Sequence, residues 1–143
     1  MSDISPTVLR DVFWLLCGRE LGRGAARIVY ATKAFDEAVI KIEDGGGSFQ
    51  NIIEWETWQV VKGTELERWF APCIDISSCG TALIQARTVQ PRNYPKQLPI
   101  FLTDTKRSNY GLYKGRFVCH DYGLHMLWEF GMSKRAKKAH WVD

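Results

Sequence analysis

The chain has 143 residues, of which 45% are hydrophobic and 13% aromatic, enough for one core and too few for two ordinary domains. With 24% charged residues and six tryptophans spread from Trp14 to Trp141, the composition is that of a folded chain, which excludes a disordered one. A formal charge of +3 does not demand nucleic acid, and no apolar run approaches the roughly 20 residues that span a bilayer.

Ser5-Pro6 supplies an N-cap and a first-turn proline, and Val8, Leu9, Val12, Phe13 and Leu16 follow at helical spacing. Three glycine-punctuated pieces then read as antiparallel strands: Glu20 to Gly22, Arg27 to Thr32 and Ala38 to Ile42. Asp44-Gly45-Gly46-Gly47 breaks the sheet, and from Ser48 onward Ile52, Ile53, Trp55, Thr57, Trp58, Val60 and Val61 predict a helix with a broad apolar face. Cys73 to Ser77 and Thr81 to Ala86 resume the strands around a turn at Ser78-Cys79-Gly80. Val89 to Pro99 holds three prolines and no periodicity, and reads as a linker. Ile100 to Leu102 is a short apolar strand, and Tyr110 to Tyr113 with Arg116 to His120 form a hairpin about Lys114-Gly115. The tail from Leu124 reads as helical and ends in the basic run Ser133 to Lys138, a solvated helix end or a contact for nucleic acid or an acidic partner.

The four cysteines include no CxxC pair and no zinc-like spacing from a histidine, so reduced thiols in a cytoplasm are expected. Gly22 and Gly24 lie in a turn between strands, where backbone N–H groups can approach phosphates; alone, such a turn is equally a plain hairpin connection. Lys41 sits among aliphatic residues in Val39-Ile40-Lys41-Ile42 and calls for an anionic partner, which Glu54 on the following helix can supply; alone, it is equally a snorkelling lysine at a sheet edge. Asp104 and Asn109 are five positions apart in Thr103 to Asn109, and Asp121 follows the last hairpin. Two carboxylates and an amide make an oxygen-rich set suited to Mg²⁺, although each segment taken singly is also an Asx-type turn.

Glycine turn, strand lysine, aspartate-x-lysine-x-x-asparagine loop and aspartate-tyrosine-glycine turn stand in the chain order of the protein-kinase superfamily, which this sequence resembles from about Leu21 to Gly123. It resembles more closely the very small kinase-like proteins encoded by bacteriophages. The shared marks are Arg27 after the glycine turn, the Asn51-x-x-Glu54 helix and the Asp121-Tyr122-Gly123 ending. The resemblance implies an α+β, protein-kinase-like fold: an antiparallel first lobe with one packed helix over 1–88, a linker at 89–99, and a strongly reduced second lobe over 100–143 that ends in a basic helix.

It further implies that ATP with Mg²⁺ or Mn²⁺ is the ligand. Gly22 and Gly24 would cover the phosphates, and Lys41 would contact them, held by Glu54 with Glu56 as the substitute. The backbone of Gln85-Ala86-Arg87 would meet the adenine edge, with Gln85 and Ala86 as the binding residues. Asp104 would be the base, Lys106 would meet the transferred phosphoryl group, and Asn109 and Asp121 would hold the metal.

Three departures bear on activity. Leu102-Thr103 stands where kinases carry histidine and arginine, the linker is too short for the usual helices, and only about twenty residues follow Gly123. Two functions are therefore expected from the resemblance: a minimal phosphotransferase acting on a host protein or small molecule, or an inactive kinase-like module that binds a host factor.

Overall fold

The structure, a computed structural model, describes residues 15–43 and 48–143. The helix expected from Ser5 and the glycine run 44–47 fall outside them, apart from Leu15 and Leu16, which are helical. The protein is α+β. Five antiparallel strands form one sheet in the order β1-β2-β3-β5-β4: β1 (Cys17–Arg23), β2 (Arg27–Thr32), β3 (Ala38–Glu43), β4 (Cys73–Ile76) and β5 (Ala82–Ala86). β3 lies in the middle, and Ala38 to Lys41 are all buried, which is why its sequence is a near-continuous apolar run instead of an alternating one.

Helix α1 (Gln50–Val61) packs on this sheet. Phe49 at its N-terminus is left-handed and makes no side-chain cap; the carboxylate of Glu43, at the end of β3, takes that place. Its oxygens accept from Gln50 N at 2.8 Å and Asn51 N at 2.9 Å, and Ser48 donates its hydroxyl to the same group. The buried face of α1 is Asn51, Glu54, Thr57, Trp58 and Val61, while Val60 is exposed and Ile52, Ile53 and Trp55 are half-buried. The broad apolar face expected from the sequence is thus rotated, because the first two turns turn polar groups inward to meet buried cations.

A 3₁₀ turn (Glu65–Trp69) leads into Phe70, the centre of the core. Phe70 stacks on Phe101 at 5.8 Å and meets Tyr122 edge-on at 4.9 Å, with Leu98 and Leu127 also fully buried in this cluster. Two further ladders complete the fold: β6 (Gln97–Pro99) with β9 (Ala136–Lys138), and β7 (Tyr110–Tyr113) with β8 (Arg116–Cys119).

Three expectations need correction. The stretch from Val89 to Pro99 is part of the fold, since Val89 and Leu112 exchange backbone bonds of 3.0 and 2.7 Å and β6 pairs with the tail. Ile100 to Leu102 is a turn closed by Leu102 N to Pro99 O at 3.1 Å. The tail forms one helical turn, Leu127–Phe130, which Gly131 ends at φ 68°; the basic run beyond it is irregular over 133–135 and strand over Ala136–Lys138, not helix. Pairing with β6 satisfies its backbone, and an extended chain carries Trp141 to the ring of Tyr110. Among the described residues no helix is long and apolar enough to cross a membrane.

Candidate active site

The register of β3 against β5 places Val39 opposite Gln85 and Lys41 opposite Leu83, so these four side chains share the sheet face that α1 covers. Lys41 Nζ lies 2.8 Å from Glu54 Oε1 and also donates to the carbonyl of His120. Gln85 Nε2 approaches the same Glu54 oxygen at 3.3 Å. On Oε2, Glu54 accepts from Arg27 Nη2 at 2.6 Å and from Tyr122 N at 3.0 Å. Burial by itself would raise the Glu54 carboxyl; the charges of Lys41 and Arg27, and their hydrogen bonds, outweigh it and bring the group down to about 2. Glu54 is therefore a fully buried anion between two buried cations.

Arg27, the first residue of β2, spreads across three acceptors. Its Nη1 donates to Asn51 Oδ1 at 3.1 Å, and its Nη2 reaches both Glu54 and, at 2.6 Å, Asp121 Oδ1. Asn51 is fixed in turn by donating to the carbonyls of Lys41, Gly80 and Thr81 at 2.9 to 3.1 Å. One guanidinium fork thus links the helix, the sheet and the segment after the last hairpin.

The loop side is set by β7 and β8. The backbone carbonyl of Asn109 accepts from His120 N at 2.9 Å and Asp121 N at 3.3 Å, which seats Asp121 beside the buried Asn109. His120 Nε2 faces the carbonyl of Ser108 at 2.7 Å and must donate, so Nδ1 accepts the Thr88 hydroxyl at 2.6 Å. Burial first, and then the charge of Lys41, keep this imidazole below its ordinary pKa. Asp104 Oδ1 accepts from Lys106 N at 3.2 Å, and its own carbonyl takes the Tyr110 hydroxyl at 2.9 Å.

A cleft of about 740 Å³ lies between sheet and loop. Gly22, Gly24, Lys41, Gln85, Ala86, Lys106, Asn109 and Asp121 all line it. Asp104 lines an adjoining cavity of about 220 Å³ together with Gly24, Arg27, Lys106, Asn109 and Asp121. Glu54 stands behind the cleft, bonded to Lys41, whereas Glu56 is exposed. The cleft's walls include Leu21, Val29, Val39 and Ala86, with Lys41, Asn109 and Asp121 also lining it. A Cβ built on Gly22 meets nothing within 4 Å, so the protein's own packing does not require glycine there. The amides of Ala86 and Arg87 already donate to Pro72 O at 2.8 Å and Glu37 O at 2.7 Å, and are not free to bind a base edge.

Among the described residues no three His, Cys, Asp or Glu side chains form a metal cluster. A divalent cation would have Asn109 and Asp121 as its protein donors, one amide and one carboxylate that is 46% exposed. That sparse oxygen set fits Mg²⁺, which keeps several waters and shares its remaining positions with phosphate oxygens.

Arg27, Asn51 and Glu43 are the residues whose parts sequence reasoning did not assign. The signal for Arg27 was its place on a strand directly after the glycine turn, but nothing local shows that it is buried.

No protein-family model matches this chain, and no curated protein matches it. One solved structure, the streptomycin–ATP–APH(2″)-IIa ternary complex, aligns over 65% of this chain and 31% of its own, at 12% identity and a TM-score of 0.46. This chain spans under a third of that protein's length.

Proposed function

We propose that the cleft binds ATP with Mg²⁺ or Mn²⁺ and that the protein transfers the terminal phosphoryl group to a hydroxyl acceptor. The observation that carries this reading is that Lys41 and Asp121 face one cleft and are joined through a single buried carboxylate and one arginine. In this reading the apolar wall formed by Leu21, Val29, Val39 and Ala86 takes the base, and the open space over Gly22 and Gly24 takes the phosphates. Lys41 meets the phosphate oxygens, and Asn109 and Asp121 hold the metal, which supplies neutralisation of the phosphate charge.

Asp104 accepts the proton of the acceptor hydroxyl as the new O–P bond forms. The bond from the terminal phosphorus to the bridging oxygen breaks, and ADP leaves with that electron pair. Lys106 stabilises the moving group. A host protein or small molecule as acceptor is supported by the phage resemblance alone.

Thermal melting with millimolar ATP tests binding: the midpoint should rise only when Mg²⁺ or Mn²⁺ is present, and Asp121→Asn should remove that rise. Transfer from labelled ATP tests chemistry. Asp104→Asn should lower the rate about a hundredfold or more with nucleotide affinity nearly unchanged, because a base is needed in the transition state and not for binding. A metal-dependent rise with no transfer to any acceptor in a host lysate would instead support the binding module.

A further inference from the structure

Leu102 and Thr103 give Asp104 no histidine or arginine to lean on, and Thr103, Asp104, Lys106 and Ser108 are all exposed. A loop with so few buried side chains would open readily unless its backbone were held. Residues 139–142 hold it. Val142 N donates to Thr105 O at 3.1 Å, Arg107 N donates to Val142 O at 2.8 Å, and the Thr105 hydroxyl donates to His140 O at 2.6 Å. Lys106 and Val142 form a single parallel bridge, so the tail pairs with the loop at this point. Trp141 anchors this segment from the inside: its Nε1 donates to Pro95 O at 2.8 Å, and its ring meets Tyr110 at right angles, 4.9 Å away. Tyr110 is the residue whose hydroxyl holds the Asp104 carbonyl.

We propose that residues 139–142 are a strap that positions Asp104 and Lys106 for phosphoryl transfer, with the Val142 backbone and the Trp141 ring as positioning groups. The inference rests on the phosphotransferase reading for its catalytic part. Val142 is 53% exposed, so its side chain contributes little packing and its backbone is what acts.

Val142→Pro removes the donor to Thr105 and leaves the core untouched; Val142→Ala keeps that donor and serves as the control. Hydrogen exchange of the apo protein is the first measurement. Val142→Pro should speed exchange over 104–109 with α1 unchanged, and Val142→Ala should match wild type. In transfer assays Val142→Pro should lower the rate at saturating ATP about ten- to hundredfold, with the KM for ATP unchanged within about twofold. Thr105→Val, which loses only the hydroxyl bond to His140, should move both readouts the same way and covers the case in which the proline variant does not fold. Exchange over 104–109 that stays at wild-type rates in both variants overturns the strap. A loss of nucleotide affinity as large as the loss of rate would also overturn it, by showing general damage. If wild type transfers nothing, the phosphotransferase reading fails while exchange still decides whether the strap orders the loop.

Discussion

Arg27 Nη2 lies 2.6 Å from Asp121 Oδ1 and 2.6 Å from Glu54 Oε2, so one buried nitrogen ties the carboxylate at the cleft to the carboxylate behind Lys41. Arg27→Ala should destabilise the protein by about 3 to 5 kcal/mol, because it strips one of the two cations from a buried anion. Arg27→Lys keeps the charge but not the fork that spans Asn51, Glu54 and Asp121. It should recover at least half of that stability and still lose most of the metal-dependent rise in melting temperature. Urea unfolding and thermal melting with and without ATP and Mg²⁺ separate the two effects; equal recovery of both by lysine would show that charge alone matters.

Glu54 is expected to set the acid limit of the fold. Its carboxyl is held at about 2 against an ordinary 4.5, so its contribution is complete above about pH 4.5 and is lost as pH falls toward about 2. A difference of that size corresponds to on the order of 3 kcal/mol across this window. Glu54→Gln should abolish that limb and lower stability at neutral pH by about 3 kcal/mol or more, since Lys41 and Arg27 lose their shared anion. Urea midpoints between about pH 7 and pH 2 provide the check. An acid slope equal to wild type in Glu54→Gln would mean that another carboxylate sets the limit.

Gly22 tests whether the space above the cleft is kept for a ligand. A Cβ built there meets no protein atom within 4 Å, and Gly22 is not among the glycines with positive φ. Gly22→Val should therefore leave the melting temperature of the apo protein unchanged or slightly raised, because the unfolded chain loses freedom. The same change should weaken nucleotide binding about tenfold or more. Calorimetric titration of ATP with Mg²⁺ measures this, and unchanged affinity would place the phosphates elsewhere.

The strands of the sheet and the hairpin about Lys114-Gly115 were legible in the sequence, because β-branched runs and glycine turns are local signals. The pairing of Lys41 with Glu54 was legible too, since a lysine within an aliphatic strand calls for an anion, whereas Asn109 and Asp121 were singled out by the resemblance, each segment taken singly being also an Asx-type turn. Periodicity read α1 in part: Thr57, Trp58 and Val61 of the expected face are buried, whereas in the first turns the structure turns Asn51 and Glu54 inward and leaves Ile52 and Ile53 half-buried. That rotation depends on Arg27 and Lys41, which lie on other strands. The tail was misread for the same reason. Its residues suit a helix locally, and only β6 and the rings around Trp141 make the extended form better. Arg27 and Asp121 are 94 positions apart, and Thr105 and His140 are 35 apart. Pairings across such separations leave no mark in local pattern, because their energy is realised only when the sheet, the helix and the loop have already brought the partners together.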